Sequence, residues 1–260
     1  MGSLAGKSPA NTYKSLLKVA DETNGVTTTP SVIEDGEGTA TCLDVSANKF
    51  RVTPNSDNNE GFAVKKSTGS NLLTVDTTND LIKVGTSQVS ATTQLFQFDA
   101  FRLVPSAAGT HMFVPQGVSE FGSHYPEVAN GTGTDPDTSV DKTSDTDYTT
   151  NFLFPAMFNM TIDAVKVLIS TDTASDTVCN VHLMSYDMVN DGTSNDGNLS
   201  NGTVLADGQA TSVNRSVVRT IDCTIQSSSV TSGKVIACFV ENETNTDDIN
   251  IKVLVKYHIA

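Results

Sequence analysis

The chain has 260 residues, room for one large or two medium domains, with 37% hydrophobic residues, 30 Asp and Glu against 16 Lys and Arg, and a formal net charge of −14. That balance argues against a sequence-independent grip on nucleic acid, which needs clustered cations. The apolar fraction is lean for an enzyme with a large core yet too well patterned for disorder. No apolar stretch approaches the roughly 20 residues of a membrane span and the first 20 residues lack a signal-peptide core, so a soluble chain, neither membrane-inserted nor exported by the usual route, is expected.

Residues 1–42 are poor in apolar side chains. Leu16, Leu17 and Val19 suit one face of a short helix, Val32 and Ile33 form a second small group, and Asp35-Gly36-Glu37-Gly38 marks a turn. Lys7, Lys14 and Lys18 stand without an acid in the first 20 residues. They suit either docking on an acidic partner surface or a solvated tail. Such a segment is too small for a domain and is ordered only against another surface.

Residues 43–94 carry five apolar-x-Val doublets: Leu43/Val45, Phe50/Val52, Phe62/Val64, Leu73/Val75 and Ile82/Val84. Each doublet puts two apolar side chains on one face of a very short strand and the residue between them on the other. Turns at Asn48, Asn55 to Asn59, Thr68-Gly69 and Thr77 to Asp80 separate the strands. Five such strands make one narrow apolar face that cannot enclose a core by itself. Its simplest cover is the same face of sister copies, which predicts a shaft of identical chains wrapped around a common axis.

Residues 95–260 read as an antiparallel β-sandwich of the jelly-roll kind, with strands expected at 95–104, 110–114, 160–169, 178–186, 217–226, 234–241 and 249–259 and a further one near 203–205. The last long strand is the clearest, with Ile249, Ile251, Val253, Val255, Tyr257 and Ile259 alternating with largely polar neighbours. Two connections rich in Asp, Asn, Gly and Ser, residues 122–151 and 187–216, read as long loops of the functional kind. A hairpin turning at Ser227 to Gly233 would set Cys223 opposite Cys238 in a core layer, as reduced thiols rather than a disulfide. The four cysteines, Cys42, Cys179, Cys223 and Cys238, show no CxxC spacing and so no zinc signature.

No nucleophile elbow, HExxH, phosphate-binding loop or GxGxxG is present, so no catalytic residues and no cofactor are assigned. His111, His124, His182 and His258 are scattered, and His182 and His258 read as exposed strand-face residues rather than ligands. Asp187, Asp191, Asp196 and Asp207 are the carboxylates that a glycosidase-type pair would draw on, but no apolar pocket surrounds them to raise a pKa. Asn190-Asp191-Gly192 and Asn195-Asp196-Gly197 suit a hard cation, yet Asx turns explain the same composition, and no metal is assigned.

The stretch Phe62-Ala63-Val64, Leu73-Thr74-Val75-Asp76-Thr77 and Ile82-Lys83-Val84-Gly85-Thr86 is similar to a motif of fibre proteins of tailed bacteriophages, whose stems are trimeric and β-structured. Tyr13 to Val19 followed by Val32 to Gly38 also resembles an N-terminal module of phage structural proteins. The resemblance implies an all-β, homotrimeric virion structural protein of three parts. Residues 1–42 form an extended virion-attachment segment, with Tyr13, Leu16, Leu17, Val19, Val32 and Ile33 bound to other virion proteins. Residues 43–94 form an intertwined stem and residues 95–260 a knob. A capsid-decorating head fibre or cement protein is the first expectation. A tail fibre whose knob binds a host-surface glycan is the second, with Tyr125, Asp135, Tyr148, Asp191 and Asp196 as the loop residues to suspect. A free carbohydrate-binding adhesin is a third, and it leaves residues 1–90 without a role.

Overall fold

A computed structural model describes residues 16–21, 23–116, 129–141, 150–192 and 196–259. Among them every ladder is antiparallel and no α-helix occurs, so the protein is all-β. The chain divides into two compact units, residues 1–91 and 92–260, a few residues before the joint expected at 94/95.

The first unit holds two four-stranded meanders, each with its strands in chain order. One comprises β1 (Lys18–Val19), β2 (Ser31–Glu34), β3 (Ala40–Val45) and β4 (Phe50–Val52). The other comprises β5 (Phe62–Lys65), β6 (Asn71–Asp76), β7 (Leu81–Val84) and β8 (Val89–Ser90). Side chains that hold their own backbone close the turns. Asp35 accepts from the amides of Glu37 and Thr39, and Asp76 from those of Thr78 and Asn79.

Two expectations fail in this unit. Lys18 and Val19 are strand rather than helix, because Val19 pairs with Ile33 and Lys18 with Glu34, whose carboxylate lies 3.2 Å from the Lys18 ammonium. A helix of a few residues cannot repay its nucleation, whereas a short β-branched segment gains a ladder at once. The 42/43 joint between attachment segment and stem also falls inside β3. The first doublets therefore share a sheet with the segment before them.

The second unit is a two-sheet sandwich. One sheet runs β15 (Arg219–Asp222), β12 (Met160–Thr171), β19 (Ile249–Ile259), β9 (Thr93–Leu103), with β17 (Ser229–Val230) also on β12. The other runs β10 (Met112–Val114), β18 (Val235–Asn242), β13 (Thr177–Met188), β14 (Leu199–Val213), β16 (Thr224–Ile225), with β11 (Leu153–Pro155) also on β18. Val165, Val167, Ile251 and Val253 of the first sheet meet Val181, Leu183, Cys238 and Val240 of the second in the main core.

Strand β18 is buried on both faces. Ile236, Cys238 and Val240 enter the main core. Val235, Ala237 and Phe239 join Phe113, Phe152, Met184, Tyr186 and Leu199 in a second cluster on the outer side of that sheet. Residues 129–141 are tied over this outer side. The Tyr186 hydroxyl donates to Asp137 O at 2.8 Å, Gly202 N to Thr138 O at 2.8 Å and His111 N to Gly131 O at 3.0 Å.

Three further expectations are corrected here. The stretch 217–226 is not one strand, and it makes no hairpin with 234–241. It splits at Cys223 into β15 and β16, which belong to opposite sheets, while β18 pairs with β13, β10 and β11. Cys223 and Cys238 are still neighbours, but across the core rather than along a ladder. Cys223 N bonds Val165 O in one sheet and Cys238 sits in the other, and burial pushes both thiols up, Cys223 to about 12. The expected loop 187–216 is mostly strand, because β13 and β14 run through it as a long hairpin. The polar side chains that suggested a loop bond one another on a solvated face, Asn201 to Asp187 and Gln209 to Asn180, each at 2.9 Å.

Candidate functional site

The doublets of the second meander are cross-strand neighbours. Phe62, Val75 and Ile82 form one row across β5, β6 and β7, and Val64, Leu73 and Val84 form the next. In the first meander Leu43 sits opposite Val52 and Val45 opposite Phe50. The ten expected stem residues thus form apolar rows on single sheet faces, as a period of two requires.

Within one chain these rows are not covered. Phe50 is 64% exposed, Ile82 49%, Val84 44%, Val64 43% and Phe62 40%, while Leu43, Val45, Val52, Leu73 and Val75 are half-buried. The opposite, polar face is the satisfied one. Buried Asp44 meets Arg51 at 3.1 Å, and buried Thr74 donates to Gln88 Oε1 at 2.6 Å. Asp76 accepts from Lys83 Nζ at 2.6 Å and Asn79 Nδ2 at 2.9 Å, and the Lys83 hydrogen bond is the main reason its carboxyl is pulled down to about 2. Each meander therefore closes its polar side internally and presents its apolar side outward.

The other expected residues are dispersed. Leu16 and Leu17 are exposed, Val19, Val32 and Ile33 are half-buried in the β1–β2 pair, and Tyr13 lies outside the described residues. Tyr125, Tyr148 and His124 also lie outside them. Asp196 accepts from the amides of Asp191 at 2.7 Å and Gly192 at 3.0 Å. Asp187 bonds Lys234 Nζ at 2.7 Å, which holds its carboxyl below the usual range, opposite to what a general acid requires.

Asp135 is exposed and lines an open cleft of about 400 Å³ with Asn180, His182, Asp207, Gln209 and Glu243. Beneath it the outer face of the six-stranded sheet holds a group that reading by residue type passed over. His111 immediately precedes β10, His182 is in β13 and Glu241 in β18, three neighbouring strands. Their relative exposures are 0%, 5% and 6%. The expectation of an exposed His182 is overturned, because residues 129–141 cover that part of the sheet. The two rings meet edge to face with centroids 5.0 Å apart, and His111 Nε2 stands 3.4 Å from Glu241 Oε2, outside hydrogen-bond geometry.

All four ring nitrogens of His111 and His182 are buried without a hydrogen-bond partner. Burial, and secondarily the neighbouring His111, pulls His182 down to about 4, so its ring is neutral at pH 7. Glu241 is held by its cross-strand neighbour, since Asn180 Nδ2 donates to its Oε2 at 2.8 Å and Gln209 Nε2 donates to Asn180 Oδ1 at 2.9 Å. His258 is set apart, its Nδ1 2.8 Å from Asp163 Oδ1. A signal was present in the sequence. His111, His182 and Glu241 each continue an apolar strand face, two residues from Phe113, Met184 and Phe239.

Comparison of the chain with known protein families finds no family that matches, and comparison with curated proteins finds no match.

Proposed function

We propose that the chain is a non-enzymatic virion structural protein of a tailed phage that assembles as a homotrimer and decorates the capsid as a head fibre or cement protein. The observation that carries this reading is the inversion in the first unit: the apolar rows of both meanders face outward while their polar faces are satisfied internally. A monomer leaves that surface in water at a cost of roughly 25 cal/mol per Å². Identical copies present identical rows, so closed symmetric assembly removes the cost from all of them together. The resemblance of residues 13–86 to phage fibre modules supplies the setting. Residues 1–42 attach the protein to the particle and the sandwich of residues 92–260 is the exposed part.

Two measurements test this reading. Light scattering on the purified chain should give three times the chain mass, and a monomer in dilute solution refutes the assembly. Deleting residues 1–42 should abolish binding to purified particles, and unchanged binding refutes the attachment role.

A further inference from the structure

We propose that His111, His182 and Glu241 form a binding site for a divalent transition-metal ion of the zinc class, set in the outer face of the six-stranded sheet beneath residues 129–141. One ligand atom from each of the three side chains lies within 4.8 Å of the other two. Two nitrogens and a carboxylate oxygen are the donor set such ions take. The 3.4 Å between His111 Nε2 and Glu241 Oε2 already matches the edge of a tetrahedron with metal–ligand bonds of about 2.0–2.1 Å.

The stronger argument is the orphaned polarity. Four imidazole nitrogens buried without a partner are costly, because each has left water and gained nothing. A cation that takes one nitrogen from each ring and a carboxylate oxygen gives two of those four nitrogens a partner and places its charge beside the buried Glu241 side chain. The surroundings fit the same purpose. Asn180, itself held by Gln209, orients Glu241 from the neighbouring strand. Asp135, on the covering segment, brings a further carboxylate to 3.7 Å from His182 Nδ1 and is the residue placed to complete the site. The cleft that His182 and Asp135 line is the way in. An ion bound there ties β10, β18 and β13 together and pins the covering segment to them, which makes it a structural staple.

The test uses the full, untagged chain, stripped with a chelator and titrated with Zn²⁺, with Ca²⁺ and Mg²⁺ as controls. One Zn²⁺ per chain is expected by elemental analysis. An unfolding temperature raised by roughly 5–10 °C is expected when Zn²⁺ exceeds its dissociation constant about 100-fold. His111→Gln and His182→Gln, checked for fold by circular dichroism, should each weaken binding at least about 100-fold, and Asp135→Asn about 10-fold. Should the histidine variants not fold, Cu²⁺ bound to the wild-type chain is read by electron paramagnetic resonance, where coupling to two imidazole nitrogens is expected. The proposal is overturned if the stripped chain takes up no Zn²⁺, if folded histidine variants bind it as tightly as wild type, or if the bound ion shows oxygen or thiolate ligands only.

Discussion

Placing carboxylates in the apolar rows of the second meander is the most direct perturbation of the proposed assembly. Val64 keeps 43% of its surface exposed in the single chain, and Val75 lies half-buried in the neighbouring row. Full burial of a Val is worth about 2 kcal/mol, so covering the exposed part of Val64 contributes about 1 kcal/mol per chain and about 3 kcal/mol per trimer. The Val64→Asp, Val75→Asp double variant loses that contribution. It also forces six carboxylates toward a shared apolar seam, at several kcal/mol for each that remains ionised there. A total above about 10 kcal/mol per trimer lowers the assembly constant by more than about 10⁷, enough to leave only monomer at micromolar concentration. The sandwich contains neither residue in either of its cores, so its cooperative unfolding should be unchanged. Light scattering coupled to gel filtration gives the mass, and a thermal melt followed by near-ultraviolet circular dichroism reports the sandwich. A double variant that is still trimeric refutes the placement of these rows at the interface.

Three other outcomes follow from the geometry. A Cβ added at Gly208 would lie 2.6 Å from Ile221 Cγ2 and 2.9 Å from Cys223 Sγ, where the chain crosses between sheets, so Gly208→Ala should destabilise the sandwich by about 1–3 kcal/mol in urea unfolding; an unchanged midpoint would contradict the close approach. Asp76 is held down at about 2 chiefly by Lys83, below the unfolded value of about 3.9, so its contribution is present above that unfolded value and is lost as the pH falls through about 2. Protection factors at residues 71–84, which divide out the intrinsic exchange rate, should therefore fall on acidification from pH 5 to pH 2 in the wild type and much less in Asp76→Asn, and an equal fall in both removes the ion pair from the account. Among the free cysteines Cys42 is exposed whereas Cys179 and Cys238 are buried with raised thiol pKa values, so a thiol reagent at neutral pH should label Cys42 in the folded chain and reach the other two only after unfolding. Rapid native labelling of Cys238 would contradict the core.

Much of the strand content was legible because alternation is a local signal. The doublets, their Asn, Asp and Gly turns and the run from Ile249 to Ile259 needed no knowledge of partners. Strand β14 was largely missed because its Asn201, Asp207 and Gln209 resemble a loop until their bonds to Asp187, Gln226 and Asn180 are seen. The hairpin assigned to Cys223 and Cys238 failed for a related reason. A plausible register between sequence neighbours is worth little when the chain gains more apolar burial by sending Ile221 and Ile225 to different sheets. His182 was misread because exposure is not local. The apolar face that His182 shares with Met184 was the local sign of burial, but whether a strand-face histidine meets water depends on residues 129–141, far from it in the chain.

The amino-acid order by itself determined that the chain is all-β, where its apolar faces run and where its turns fall, since side-chain alternation and Asx chemistry act over a few bonds. Only the tertiary structure decided which polar side chains close the other face of each meander in the first unit, Thr74 on Gln88 and Asp76 on Lys83 among them. It alone brought His111, His182 and Glu241, distant in sequence, into one buried cluster on three neighbouring strands, because pairing order and burial come from long-range competition for apolar contact.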